Sequence, residues 1–275
     1  MGVEVCHGRE EQVGRRGARR PLVRTGLAVC AAAALVAGCE GGVDDAGGSA
    51  GSGVRGGAPA PASDGHAVSP LKNPDGTRPG LAPLTSDADK AAARKLIATV
   101  ATKGRGPKTG YDRDEFGYAW MDTADGVPYA HNGCDTRNDL LKRDGQKVAF
   151  RKGSNCVVTS MTLADPYTGR TIQWTKAHAT TVQIDHVMPL SYDWQMGAAH
   201  WTKDKREQIA NDPLNLIPVD GPANGAKSDS GPATWLPPSK GIRCAYSVRF
   251  AQVSLKYKLP VTTADKRMML EQCGG

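Results

Sequence analysis

The chain has 275 residues, a net charge of +7, 39% hydrophobic residues and only 5% aromatic ones. This length permits one large domain or two small ones and excludes a longer array of domains. Of the 33 glycines, 17 lie in the first third, which excludes one packed core over the whole sequence.

The first 38 residues have the features of an export signal. Five arginines lie between Arg15 and Arg24, and residues 25–38 then form an uncharged apolar run. A membrane-spanning helix needs about 20 apolar residues, so this run is too short to cross a bilayer comfortably. A basic stretch followed by a short apolar core and small residues is typical of a signal peptide, which we expect over residues 1–38.

The apolar run ends in Leu-Val-Ala-Gly-Cys at residues 35–39. This pattern resembles a bacterial lipobox, in which the cysteine is lipidated and becomes the mature N-terminus. The resemblance implies that Cys39 carries a lipid, which holds the protein at the extracellular face of the cell membrane. An ordinary cleaved signal with an incidental cysteine is the alternative. The export route, Sec or twin-arginine, and later release from the anchor stay open.

A low-complexity segment separates Cys39 from the folded part. Residues 39–85 are mostly Gly, Ala, Ser, Pro and Asp, which bury too little apolar surface to offset chain entropy. We expect a flexible tether there and a folded domain over residues 86–275. That domain has 26 Lys plus Arg against 20 Asp plus Glu, a mild excess that suits a polyanionic partner without requiring one.

The predicted elements of the domain begin with a helix. Ser86 and the acidic residues after it are typical of a helix N-terminus, and Gly104 is expected to stop the helix. An irregular stretch follows, in which the alternating aromatic residues of segment 116–120 predict a short strand. Two β-rich segments, 156–163 and 171–174, flank a Pro/Gly turn and predict a β-hairpin.

Short strands and helices continue to the C-terminus. The apolar patterns predict a strand, a helix, a second strand and two closing helices over residues 182–187, 202–210, 214–219, 246–257 and 264–273. Interleaved short elements without βαβ repeats indicate an α+β fold.

Four of the seven cysteines lie beyond the lipobox. An even number in an exported domain predicts two disulfides, with three pairings available. We favour Cys134–Cys156 and Cys244–Cys273, because each pair lies within one half of the domain. A zinc site made of the four cysteines is the alternative, but no C-x-x-C spacing supports it.

Asp185 and His186 mark a candidate catalytic site at the end of a predicted strand. Neighbouring strand residues point to opposite faces, so both can serve one site only if the strand ends there. A catalytic imidazole needs its second nitrogen held by a partner, and Asn215 is suitably placed at the start of the next strand. Magnesium prefers oxygen ligands and keeps several waters; Asp185 and Asn224 offer a carboxylate and an amide oxygen.

Asp185-His186, Asn215-Leu216 and Asn224-x-x-Lys227 together read as D-H…N-L…N-x-x-K. This ordered pattern resembles that of HNH endonucleases, including the HNH domains of CRISPR effectors and bacterial toxin nucleases. The flanks are similar to those of a group of secreted actinobacterial proteins, and the resemblance covers nearly all of residues 86–273. The shared flanking segments are residues 111–113, 133–137, 165–169, 211–213 and 235–238.

The resemblance implies a ββα-metal (HNH) core embellished with an N-terminal helix, a β-hairpin and C-terminal helices. His186 would act as general base on the attacking water, and Asp185 and Asn224 would hold one divalent metal, Mg²⁺ by preference and Mn²⁺ as the alternative. Asn215 would orient His186 or brace the loop that carries it. Lys227 would lie where a cation can meet a phosphate oxygen.

Three points of this interpretation stay open. The third motif position is Asn224 rather than His, which the family tolerates but which disfavours zinc. The 28 residues between His186 and Asn215 exceed those of minimal family members, so the hairpin geometry is undetermined. Arg137 is a candidate substrate-binding residue that could clamp a phosphate, or it could merely pair with Asp135 or Asp139.

The five tryptophans are expected mainly in the core or as a lid rather than as base-stacking residues.

The sequence therefore predicts an exported, lipid-anchored and monomeric endonuclease that hydrolyses nucleic acid. DNA is the expected substrate, and the choice between DNA and RNA stays open. Two alternatives remain. The first is a non-catalytic envelope-anchored protein that binds wall polymer or nucleic acid on the same fold, although the intact motif argues against it. The second is a hydrolase of another phosphodiester polymer, such as teichoic acid, for which the chemistry at phosphorus would be the same.

Overall fold

A computed structural model describes residues 64–275 of the chain. The predicted export signal, the lipobox with Cys39 and the first part of the predicted tether, residues 39–63, lie outside the described residues. Within residues 64–275, no helix combines the length and apolar character needed to cross a bilayer.

The described part has an α+β architecture, as predicted. Its helices are α1 (Asp87–Ala98), α2 (Thr136–Asp144), α3 (Leu190–Met196), α4 (Lys203–Asn211), α5 (Gly221–Lys227), α6 (Arg243–Tyr257) and α7 (Thr263–Gln272). Its strands are β1 (Gln146–Phe150), β2 (Val158–Ala164), β3 (Thr171–Thr175), β4 (Val182–His186) and β5 (Leu216–Asp220).

The folded part begins before Ser86. Leu81 and Leu84 are buried, and the Gly80 amide donates a hydrogen bond to Asp144 Oδ1. The prediction of a flexible tether is therefore wrong for residues 64–85. The segment is small and polar on average, but Leu81 and Leu84 near its end are buried in the main core and dock it on the domain.

Helix capping follows the sequence closely at two of the predicted helices. Ser86 Oγ accepts a hydrogen bond from the Asp89 amide at the start of α1, and Thr202 caps α4 in the same way. Helix α1 ends at Ala98, earlier than Gly104, although the next apolar residue, Val100, is buried.

The stretch before β2 departs from the prediction. The alternating aromatic residues do not form a strand: a 3-10 helix, Arg113–Phe116, is followed by turns, with Phe116 buried and Tyr118 63% exposed. Three alternating positions are too few to define a strand against the local turn preference. Helix α2 lies where no element was expected, and its N-cap is Asp135, whose side chain accepts from the Asn138 amide.

The predicted hairpin is confirmed as β2 and β3, which pair antiparallel with Met161 opposite Trp174. Strand β1 adds to the free edge of β2 and completes a three-stranded sheet in the order β1-β2-β3. A second apolar cluster fills the space between this sheet and α2, with Leu140 and Leu163 almost fully buried.

Strands β4 and β5 form a separate antiparallel pair, with Asp185 opposite Ile217 and His186 opposite Leu216. The 28 residues between His186 and Asn215 contain α3, a short 3-10 helix and α4, and they return the chain in register. Helix α5 begins directly after β5, where the Asp220 side chain accepts from the Ala223 amide. The long insertion thus leaves the hairpin intact.

The main core surrounds α6, whose residues are almost all buried. Helix α6 packs against α1 and α7. The disulfide Cys244–Cys273 joins α6 to the end of α7, and Cys134–Cys156 joins the segment before α2 to the segment before β2. Both favoured pairings are confirmed.

Candidate active site

A cavity of about 490 Å³ opens beside the end of β4. Asp185, His186, Asn224 and Arg137 all line it, so the fold brings these four predicted site residues to one place. The other two members of the motif, Asn215 and Lys227, are completely buried and act from behind the cavity wall.

His186 has one ring nitrogen fixed by the backbone. Its Nε2 lies 2.9 Å from the carbonyl oxygen of Ala210, and because a carbonyl only accepts, Nε2 carries the proton and Nδ1 is left as an acceptor. Burial, together with the nearby charge of Arg113, lowers the pKa of His186 to about 3. The imidazole is therefore neutral at neutral pH and can accept a proton.

Asn215 braces the loop that follows His186. Its Oδ1 accepts from the Met188 amide at 2.8 Å, and its Nδ2 donates to the carbonyl oxygens of Met188 and Ile209. Because Ile209 precedes Ala210, the same side chain fixes both the loop after His186 and the segment that holds its imidazole. Of the two predicted roles, bracing is the one that the contacts support. No sequence signal pointed to the Ala210 carbonyl.

Lys227 lies in a different place from the one predicted. Its Nζ donates to Asp185 Oδ1 at 3.0 Å and to the carbonyl oxygen of His186 at 2.8 Å, with none of its side chain exposed. The ammonium thus supports the carboxylate and the strand end instead of facing a substrate phosphate. Asp185 Oδ2 also accepts from Tyr167 Oη, which gives a role to the shared segment 165–169.

The electrostatics of Asp185 follow from this enclosure. Burial raises the pKa of the Asp185 carboxyl, whereas the Lys227 ammonium and the hydrogen bond from Tyr167 lower it. Each carboxylate oxygen uses one lone pair for these bonds and keeps another. Asp185 can therefore act as an oxygen ligand that is already oriented.

The donor set fits a hard divalent cation. Asn224 Nδ2 donates to Gln183 Oε1 at 2.8 Å, which leaves Oδ1 as the atom available to a cation in the cavity that Asp185 also lines. Two oxygen donors suit Mg²⁺, which keeps several waters. The described residues contain no cluster of three or more His, Cys, Asp or Glu side chains placed to hold a metal, so they fit the tetrahedral ligand set of zinc poorly.

Arg137 lines the cavity without forming either predicted ion pair. Its guanidinium donates to the carbonyl oxygens of Ala179 and Val182 at 3.3 and 3.2 Å. Asp135 instead caps α2, and Asp139 accepts from Asn132. Arg137 therefore buttresses the start of β4 while its charge remains at the cavity.

One wall of the cavity was not assigned from the sequence. Lys108, Tyr111, Arg113 and Trp120 reach it from the segment before α2. The Trp120 ring is nearly parallel to the His186 imidazole, at 13° with 6.1 Å between centroids, which agrees with a covering role. In the sequence, the segment 111–113 stands out only as a flank shared with secreted actinobacterial proteins, and that resemblance implies no role for its residues.

A model of the family described as GmrSD restriction endonucleases, C-terminal domain, matches residues 135–272. This span is half of the chain and contains the complete motif from Asp185 to Lys227. The chain belongs to this family. A protein of Arthroderma benhamiae named "Uncharacterized secreted protein" is 39% identical over 188 residues, which cover 66% of this chain and 85% of that protein. No solved structure matches the chain.

Membership in the GmrSD C-terminal family confirms the coarser part of the resemblance, a nuclease family, and leaves the HNH subclass and the actinobacterial branch as predictions. The family match begins at Asp135, the N-cap of α2. The wall that carries Arg113 and Trp120 therefore precedes the matched region, although it borders the same cavity.

Proposed function

We propose that this protein is an exported, metal-dependent endonuclease of the HNH type that hydrolyses the phosphodiester bonds of nucleic acid, with DNA as the proposed substrate and RNA as the alternative. The observation that carries the proposal is the state of His186. It is a neutral imidazole with Nε2 held by the Ala210 carbonyl, on a cavity that it shares with the oxygen donors Asp185 and Asn224.

The residues divide the chemistry between them. His186 takes the proton of the attacking water at Nδ1, while Asn215 keeps the loop and the Ala210 carbonyl in place. Asp185 and Asn224 would hold one divalent ion, Mg²⁺ by preference and Mn²⁺ as the alternative. Its charge would stabilise the leaving oxygen and the negative charge on the phosphate in the transition state. Lys227 orients Asp185 from the buried side.

The order of elements supports a ββα-metal core. Asp185 and His186 end the first strand of an antiparallel pair, Asn215 immediately precedes the second, and Asn224 and Lys227 lie on the helix that follows. The family match supports a nucleic-acid substrate. The two disulfides and the secreted fungal relative support export, and we propose attachment through a lipid on Cys39 and a monomeric state.

The test is cleavage of supercoiled plasmid by the full-length protein with its disulfides oxidised, in Mg²⁺ or Mn²⁺ and in EDTA. We expect nicking that requires metal and falls by about 100-fold or more in His186→Ala, the loss typical of a general base. His200→Ala is the matched control, because His200 is exposed and lies outside the cavity lining.

Two results would contradict the proposal. Equal cleavage by His186→Ala and wild type would remove His186 from the reaction. An inactive wild type with either metal, on DNA and on RNA, would favour the binding protein or the hydrolase of another polymer.

A further inference from the structure

The wall that precedes the family match contains an arginine, Arg113, whose backbone is fixed by its neighbours. Arg113 begins the 3-10 helix Arg113–Phe116, in which the Asp112 side chain accepts from the Asp114 amide. Phe116 is 1% exposed, and Glu115 forms a 2.8 Å ion pair with Arg206. These contacts hold the backbone on which Arg113 stands, although the Arg113 side chain itself is exposed.

The side chain of Arg113 is uncommitted. Three acidic residues lie within two positions of it, yet among the described residues its guanidinium has neither an ion pair nor a hydrogen bond. The other two cations of the cavity are engaged: Lys108 with the Asp229 carboxylate at 2.9 Å, and Arg137 with backbone carbonyls. Arg113 therefore brings a free positive charge to the cavity that holds His186.

A guanidinium in this position has a specific chemical complement. Its fork of N–H donors matches two oxygens of a phosphate, and a phosphodiester in the cavity would present its non-bridging oxygens between the two walls. Arg113 could pair with the acidic residues beside it in the sequence, but it does not. Its guanidinium lines the cavity instead, where an anion that enters from solution can reach it.

We propose that Arg113 binds a backbone phosphate of a nucleic-acid strand at the cavity, at or next to the phosphodiester that is cleaved. The proposal rests on the function proposed above for the substrate class. It adds a substrate-binding residue from outside the region that the family model matches.

The test is binding without cleavage. The full-length protein is titrated into a fluorescein-labelled 20-base-pair DNA duplex in EDTA, over a series of salt concentrations. For Arg113→Gln we expect binding weaker by about 10-fold to 100-fold, the loss of charge-assisted hydrogen bonds. The slope of log Kd against log salt should also fall by about one, as for the loss of one phosphate contact. Arg113→Lys should keep the slope and lose part of the affinity.

Arg267→Gln is the matched control, because it removes the same charge from a 77% exposed arginine on α7 and should change both quantities little. Arg113→Gln with the affinity and slope of this control would overturn the proposal. If Arg113→Gln does not fold, Arg113→Lys decides: reduced affinity supports the contact, and unchanged affinity refutes it. If the wild type cleaves no nucleic acid but Arg113→Gln still loses affinity and slope, the proposed nuclease fails while the phosphate site stands.

Discussion

The two walls of the cavity are built in opposite ways. The wall formed by β4, β5 and α5 consists mostly of buried side chains. Asp185, and Asn215 and Lys227 behind it, are each held by at least two hydrogen bonds. The wall before α2 is irregular and presents Arg113 on an exposed surface. The difference agrees with the two roles proposed above. The first wall holds the catalytic and metal-binding side chains in a fixed geometry. The second wall offers an exposed positive charge to the phosphates of a nucleic-acid strand.

The largest effect is expected when the buried ion pair between Lys227 and Asp185 is broken, because that pair lies in the wall that consists mostly of buried side chains. Lys227→Met keeps the length of the side chain but leaves the Asp185 carboxylate buried without its cation. Breaking one side of a buried pair costs about 3–5 kcal/mol. We expect that loss in the free energy of unfolding, measured with urea, together with loss of cleavage.

Lys240→Met serves as the control, because Lys240 is exposed and its replacement should change the stability little. Adding Asp185→Asn to Lys227→Met should recover part of the lost stability by removing the unpaired charge. If Lys227→Met unfolds at the same urea concentration as Lys240→Met, the Asp185–Lys227 pair is not what holds this wall together.

The sequence anticipated the buried wall better than the exposed one, for physical reasons. Strand β4 alternates apolar and polar residues before its motif pair, β5 is a short apolar run, and the motif residues follow one another in a fixed order. The capping residues Ser86 and Thr202 act on amides three positions away, so a local pattern was enough. The enclosure of Lys227 was not foreseen, because it depends on a carboxylate 42 positions away in the chain.

The elements that were missed depend on tertiary contacts. Strand β1 has five residues with no buried position, and it pairs with the edge of β2 through an irregular register. Helix α3 has seven residues, too few for a stable isolated helix, and most of them are buried in the fold. The Ala210 carbonyl that fixes His186 is a backbone group. Because every residue has such a group, the sequence cannot indicate which one will accept the hydrogen bond.

The pH dependence of stability gives a second test of the buried wall. His186 has its pKa lowered from 6.5 to about 3 in the folded protein by burial, so between these values the unfolded chain binds a proton that the folded protein does not. Stability should therefore fall as pH decreases through this window, by at most about 1.4 kcal/mol per pH unit from this group.

His186→Gln should lack this contribution, so its urea midpoint should depend less on pH than that of the wild type across the same window. His200→Gln controls for the loss of an exposed histidine. Parallel pH profiles for the wild type and His186→Gln would mean that folding leaves the pKa of this imidazole near its ordinary value, and burial would then not be what keeps it neutral.

The smallest effect on the free energy of unfolding is expected for a substitution in the exposed wall. Arg113 has no ion pair or hydrogen bond from its side chain within the described residues, so Arg113→Gln should change the free energy of unfolding by no more than about 0.5 kcal/mol. Urea unfolding of this variant beside Arg267→Gln measures the difference. A loss well above that of Arg267→Gln would show that Arg113 holds the wall together. A stability equal to that of Arg267→Gln, combined with weakened DNA binding, would show that Arg113 contributes charge for the strand and no stability, in contrast to Lys227 of the buried wall.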